Sequence, residues 1–316
     1  MPRLKKHIAI GILLYPTATP TISLLMRDIF LTANQVLGKS YYDIELISVD
    51  GETFEFQDVA IKTKKANKNY DILLVSPYSR SSEDKAINEV ISVIQSYYAK
   101  KTKIASPCLG SIILAQSGIL KGKEATTHWA ALDDAQKRFP DVKWNSKDML
   151  CKTGTVTTAG GYLAAVDLIL NLVSETSNKK TAHEIGRLLL AESSREKQSV
   201  YATSLISHKD ETSTFYALES WIEKNISKDI TVPMMSDFSN MSLRNFQRQF
   251  TEIHGVSPKG YLQLKRIEKA KALLRDTRLS VDLIVEKIGL SDVSSFRKLF
   301  QREVGMTPAE YRKRIK

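Results

Sequence analysis

The chain has 316 residues, 42% of them hydrophobic, and 46 Lys+Arg against 35 Asp+Glu give it a formal net charge of +11. That length suits about two domains, each with enough apolar residues to bury a core. Two distant cysteines, Cys108 and Cys151, give no metal or redox spacing and favour a reducing cytoplasm, and no apolar run approaches the roughly 18 residues that span a bilayer.

The basic start (Arg3, Lys5, Lys6) runs into an apolar stretch over 8–15. It contains Gly11 and stops at Pro16, so it reads as a buried first strand rather than a signal peptide. Further strands are predicted over 44–49, 72–76, 103–106 and 125–127, with another inside 150–158. Helices are predicted between them, over 21–37, 84–100, 110–116, 130–139, 161–172 and 181–192. Continuous apolar strands separated by helices imply a parallel sheet covered on both faces. A polar stretch without apolar periodicity, 202–213, reads as a linker. The predicted organisation is an α/β domain over 1–201, that linker, and an all-α domain over 214–316 holding two helix-turn-helix units.

Where the strand over 103–106 ends, Pro107-Cys108-Leu109-Gly110 runs into a helix. A nucleophile at the apex of a strand-to-helix turn has elbow geometry, and a helix N-terminus lowers a thiol pKa. Catalysis also needs a base and an orienting acid. Leu109 follows the cysteine, Tyr15-Pro16-Thr17-Ala18-Thr19 after the first strand holds no acid, and His128 is the one histidine the topology brings near. Cys108, Leu109 and His128 therefore read as the lining of a ligand pocket rather than as a catalytic set. Trp129 and Trp144 read as core. His183-Glu184 lacks the second histidine of a zinc-protease motif, because position 187 is Arg187. The five scattered histidines form no ligand cluster, so neither metal nor cofactor is expected.

The last hundred residues carry one pattern twice. Phe246, Phe250, Gly255, Ser257-Pro258 and Tyr261 recur fifty residues later as Phe296, Phe300, Gly305, Thr307-Pro308 and Tyr311. Each phenylalanine pair shares a helix face, extended by Leu243 in the first copy and Val293 in the second. The glycine suits a left-handed helix stop, and Ser/Thr-Pro suits the cap and first turn of the next helix. Shorter scaffold helices are predicted upstream, over 232–238 and 281–288, with Ser242 and Ser291 capping the helices that follow. A linking helix over 259–275 carries Leu262, Ile267, Ala270 and Leu274 on its apolar side. Opposite the aromatics stand Arg244, Gln247 and Arg248 in the first copy, and Ser294, Arg297 and Lys298 in the second. Such residues read base edges or neutralise phosphates. His254, beside the Gly255 stop, reads as a charge partner of the helix C-terminus. Residues 214–316 hold 19 Lys+Arg against 12 Asp+Glu, so the smaller part is the more basic.

On these residues, together with Ser242, Arg266, Gly289 and Arg312, the segment 214–316 resembles the DNA-binding domain of the AraC/XylS regulators. It departs from their pattern at Met234-Met235, Val285 and Leu290, all apolar exchanges. The elbow, the Gly118–Lys123 turn, Ala125–Trp129, Gly160-Gly161 and Asp167 make residues 7–195 resemble the PfpI-like branch of the glutamine amidotransferase-like superfamily. These resemblances imply a cytoplasmic, dimeric regulator that binds promoter DNA, answers a small metabolite and acts with RNA polymerase, more in activation than repression. The two reader helices would enter successive major-groove segments about 34 Å apart. A Cys108-dependent amidase or hydratase with a DNA-binding tail, and a constitutive binder whose α/β domain only dimerises, are the alternatives.

Overall fold

Strand and helix alternate because apolar runs too short for helices are punctuated by glycine, proline and polar turns. The computed structural model describes residues 7–78, 86–191, 198, 214–254 and 256–315. It divides into two units, Met1–Gln198 and Ser199–Lys316. The polar stretch 202–213 lies outside the described residues.

The first unit runs β1 (Ile8–Leu13), α1 (Pro20–Leu37), β2 (Tyr42–Ser48), β3 (Phe54–Phe56), β4 (Val59–Ile61), β5 (Lys64–Lys65), β6 (Ile72–Val75), α2 (Ala86–Ala99), β7 (Lys103–Pro107) and α3 (Gly110–Gln116). It continues through β8 (Glu124–Ala125), a 3-10 turn (Trp129–Ala131), α4 (Leu132–Arg138), β9 (Lys143–Trp144), β10 (Leu150–Thr153), β11 (Val156–Ala159), α5 (Ala164–Thr176) and α6 (Lys179–Leu188). Seven strands form the main sheet in the order β10-β11-β7-β6-β1-β2-β5. Its ladders are parallel except β10–β11.

The two-residue strand period sends alternate side chains to opposite faces. Ile10, Ile12, Ile72 and Leu74 join α1, α5 and α6 in one core, while Leu73, Val75 and Ile104 join α2 and α3 in the other. The central strands are thus apolar throughout because both faces are covered.

Several local expectations change. Residues 125–127 do not extend the main sheet: Glu124–Ala125 pairs with β9 alone. Thr126 instead donates its N–H to Thr158 Oγ1 and its hydroxyl to the Asn145 carbonyl, both of which tie it down as a buried loop. The single strand expected inside 150–158 is a hairpin turned at Gly154, whose φ is +62°. The helix expected over 130–139 opens as a 3-10 turn, and the one expected from 161 begins at Ala164. The expected start at 84 lies outside the described residues, and the helix expected over 181–192 runs Lys179–Leu188, capped at Leu189.

Among its described residues the second unit is all helical: α7 (Tyr216–Asn225), α8 (Val232–Phe238), α9 (Leu243–His254), α10 (Pro258–Asp276), α11 (Val281–Lys287), α12 (Val293–Val304) and α13 (Pro308–Ile315). It has two cores, one per copy of the repeat. Phe246, Phe250, Tyr261 and Leu262 belong to the first, and Phe296, Phe300, Tyr311, Ile267, Ala270 and Leu274 to the second. The linking helix α10 therefore serves both cores, its first turn in one and its later turns in the other.

Candidate DNA interface and effector pocket

The repeated residues make the same small structure twice. The rings of Phe246 and Phe250 lie 5.3 Å apart, tilted by 48°, and Tyr261 meets Phe250 edge-on at 5.2 Å. Phe296 and Phe300 stand 5.6 Å apart and Tyr311 meets Phe300 edge-on at 5.5 Å. Edge-to-face geometry sets the electropositive ring edge against a π face, which fixes the angle between each reader helix and the helix after it. Ser257 Oγ accepts the Gly260 N–H, and Thr307 with Glu310 forms a reciprocal capping box. Gly305 terminates α12 at φ +86°. Gly255 lies outside the described residues.

With the aromatics turned inward, Arg244, Gln247 and Arg248 on α9 and Ser294, Arg297 and Lys298 on α12 are all exposed. The Arg248 guanidinium donates to Asn245 Oδ1 at 3.2 Å and lies 3.8 Å from Glu252, so neighbours on its own helix orient it. α9 and α12 are thus amphipathic helices following α8 and α11, whose caps are Thr231 and Ser280.

Three expectations here are corrected. Leu243 is 43% exposed and does not join the aromatic stripe, because it stands in the first turn, beyond the core. The cap of α12 is Asp292, not Ser291: its carboxylate accepts the N–H groups of Ser294 and Ser295, each at 3.0 Å, and the Ser295 side-chain hydrogen bond, together with these N–H bonds, holds it below the usual carboxylate range. His254 is no charged helix terminator. Its ring packs 4.1 Å from Phe250 and 5.1 Å from Tyr261, and burial, with Lys265 nearby, pushes its pKa down, even though Glu219 lies 3.6 Å from Nε2. Burial outweighs that carboxylate, so the ring is neutral at pH 7.

Other residues at this site escape the sequence pattern. Helix α7 places Phe215, fully buried, against Phe246 and Phe250. Lys259 and Arg302 flank Lys298 in a groove of about 690 Å³ that also holds Asp229 and Gln263. Arg266 and Arg312 each donate to a backbone carbonyl just before a scaffold helix, that of Lys228 and that of Leu279. The clamp recurs without keeping the fifty-residue offset, so the repeat does not reveal it.

In the α/β unit, Cys108 sits at the apex of the β7–α3 turn with φ +54°. Its N–H donates to the Ala159 carbonyl, and its own carbonyl accepts from Ser111 Oγ and Thr127 Oγ1. Gly110 is required next to it: a Cβ there would lie 2.0 Å from Ser106 Oγ. The expectation of an acidic thiol is reversed. Burial pushes Cys108 up to about 11, against a smaller opposing effect of the Leu109 backbone. Desolvation of the thiolate outweighs the helix end. Where a base-proximal acid would stand, Tyr15 is buried and donates to the Ser76 carbonyl. His128 Nδ1 accepts the Ala130 N–H at 3.0 Å, and the ring lies over Gly161, where a Cβ would be 3.1 Å from Cδ2.

Beside the elbow is a cavity of about 580 Å³. Leu109, Ile112, Ile113, Ala130 and Ala131 give it apolar walls, and Tyr78, Gln116, Asp134 and Arg138 give it polar ones. Of the three residues expected to line a pocket, only Leu109 is among its lining; Cys108 and His128 stand one and two residues away in the chain. Trp129 is partly exposed, its ring 5.3 Å from that of His128, whereas Trp144 packs against the second core of the sheet. Gln198, at the end of the unit, is buried and donates to Thr126 Oγ1 at 2.6 Å, over Gly160. Among the described residues, no group of three His, Cys, Asp or Glu is placed to hold a metal, and no helix is long and apolar enough to cross a membrane.

Comparison with known proteins follows the same division. Residues 235–314 match the family model of a helix-turn-helix domain, and residues 30–175 that of the DJ-1/PfpI family. The HTH-type transcriptional regulator GbdR of Pseudomonas aeruginosa is 23% identical over 286 residues, spanning 89% of this chain and 77% of that protein. The HTH-type transcriptional activator RhaS of an Enterobacter species is 35% identical over 95 residues, which is 30% of this chain and 34% of that protein. A solved AraC family transcriptional regulator from Pseudomonas putida shares the fold over 58% of this chain and 99% of its own, with TM-score 0.51 and 17% identity.

Proposed function

We propose that the chain is an AraC-type helix-turn-helix transcription regulator with an amino-terminal DJ-1/PfpI-like domain, on the matches over residues 235–314 and 30–175, and that it reads a two-part promoter site with α9 and α12 under control of a small metabolite. The observation that carries this reading is the exposed polar face of both reader helices, each set on its own aromatic core. Arg244, Gln247 and Arg248 read the first half-site, with Arg248 on a base edge. Ser294, Arg297 and Lys298 read the second, where Arg297 and Lys298 also suit phosphates. Lys259 and Arg302 add cations beside them.

The effector occupies the cavity beside the elbow, with apolar walls on Leu109, Ile112 and Ile113 and polar contacts from Arg138, Asp134, Tyr78 and Gln116. The regulator works in the cytoplasm on the nucleoid as a homodimer, activating transcription by contact with RNA polymerase. Cys108 stands beside that cavity and is not a nucleophile, because its thiol is held up at about 11 and His128 Nδ1 is committed to a backbone N–H.

The test is selection from fragmented genomic DNA by the purified full-length protein at physiological salt, beside Arg248→Ala. Two motifs about one helical turn apart are expected, and Arg248→Ala relaxes preference at one base pair of one motif. Weak enrichment without a motif, lost steeply with salt, would mean non-specific electrostatics and overturn the reading.

A further inference from the structure

The two helix-turn-helix units meet at a backbone contact that tolerates no side chain. Gly289 lies in the turn between α11 and α12, in the left-handed region at φ +71°. A Cβ there would stand 2.6 Å from the carbonyl oxygens of both Ile226 and Lys228 and 3.0 Å from the Ser227 carbonyl carbon. Those atoms belong to the α7–α8 loop, which is part of the first unit. The loop is held firmly from within: Ile226 and Ile230 are buried in the first core, and the Ile230 N–H donates to the Lys228 carbonyl. The same carbonyl accepts Arg266 Nη2 at 3.0 Å, from a side chain that is 7% exposed on α10.

Three elements therefore converge on the Lys228 carbonyl: the first scaffold loop, the linking helix and the turn that launches the second reader. The next helix after Gly289, α12, starts only four residues later. Where that turn rests on the loop decides where α12 begins and how it is pitched relative to α9. The contact at Gly289 adds a constraint between the two units beside the one that the linking helix provides.

We propose that Gly289 and Arg266 are the positioning residues that fix the separation between the two reader helices, and hence the spacing of half-sites that the protein accepts. The inference rests on the reading that α9 and α12 both contact DNA. Neither residue needs to touch DNA. A side chain at position 289 wedges the units apart by the several tenths of an ångström or more that separate 2.6 Å from ordinary van der Waals contact. One base pair of extra spacing moves a half-site by about 3.4 Å and turns it by about a tenth of a turn. A rigid pair of readers rejects such a site, and a loosened pair accepts it.

The experiment uses full-length protein and a duplex pool with two randomised windows whose centres are set about 9 to about 12 base pairs apart. Wild type, Gly289→Ala, Gly289→Asn and Arg266→Met are compared. Asparagine tolerates the left-handed backbone but still carries the side chain, so it separates the wedge from backbone strain. Arg312→Met removes the corresponding clamp inside the second unit and is the structural control.

Wild type is expected to enrich one spacing class about tenfold over its neighbours. Gly289→Asn and Arg266→Met should recover the same window motifs with the spacing preference flattened or shifted, and Arg312→Met should keep the wild-type preference. If the alanine variant fails to bind, the asparagine and methionine variants carry the test. Variants that keep the wild-type spacing preference, or an Arg312→Met that loses it equally, overturn the inference. Wild type that enriches no paired windows at any spacing instead overturns the two-reader reading on which the inference rests.

Discussion

Raising the pH across the range in which a thiol ionises gives a direct measure of what the elbow can do. Burial holds the Cys108 thiol at about 11 against its ordinary 9.0. Each pH unit is a factor of ten in ionised fraction, so at pH 7.5 about 0.03% of Cys108 is thiolate, roughly a hundredfold less than in an unperturbed thiol. Alkylation by iodoacetamide, followed by mass spectrometry in a Cys151→Ala background, should be slower than that of a free thiol by about that factor. Its rate should climb tenfold per pH unit through pH 9 without levelling. The sign for stability follows: the folded pKa is above the unfolded one, so the neutral thiol supports the fold below pH 9 and that support is lost as pH rises through about 11. Cys108→Ala should leave DNA selection unchanged. A rate that levels off near pH 7, with labelling faster than a free thiol, would show an activated nucleophile and refute the argument. The amidase or hydratase alternative would then return.

Three further outcomes are expected. Phe300→Ala removes a fully buried ring from the second aromatic set and should cost about 3–5 kcal/mol of stability, read by urea titration, with Phe250→Ala matching it in the first set. Asp292→Ala strips the cap from α12 and should cost about 1 kcal/mol, while Ser291→Ala should be close to neutral; the reverse order would restore Ser291 as the cap. The depressed pKa of His254 means the unfolded chain takes up its proton first, so the support given by the neutral ring is present above about pH 6.5 and lost as pH falls through the lower folded value. His254→Phe should remove that part of the acid destabilisation in a thermal-melt series, and an unchanged pH dependence would show that the ring is not buried neutral.

The sequence displays what is local and repeated. Ser257-Pro258 and Thr307-Pro308 punctuate helices wherever they occur, and the phenylalanine spacing marks an inward face without any tertiary information, so both helix-turn-helix units are legible by pattern alone, and the six candidate contact residues stand exposed on α9 and α12. Burial is a property of the neighbours, and there the pattern fails. Leu243 continues the stripe by spacing but finds no core above the first turn. Cys108 has the right turn for an acidic thiol, but it is desolvated. His254 has the right position for a terminal charge, but three rings surround it. Helix α7 has only weak amphipathic character, so Phe215 is invisible until it is seen against Phe246. The Arg266 and Arg312 clamps escape because equivalent carbonyls are reached from different turns of α10 and α13. In the α/β unit the central strands are legible as apolar runs, whereas β3, β4 and β5 are two or three residues long and mostly exposed, with no pattern to detect.

The central claim is that one chain reads two half-sites with two helices. Its most direct test is an anisotropy titration of full-length protein on the selected duplex at physiological salt, beside duplexes with either half scrambled. The account predicts that scrambling either half weakens binding by about tenfold or more, and that Arg248→Ala loses discrimination at one base pair of the half its helix reads while keeping its full sensitivity to the other half. Equal affinity for all three duplexes, falling together as salt rises, would contradict it.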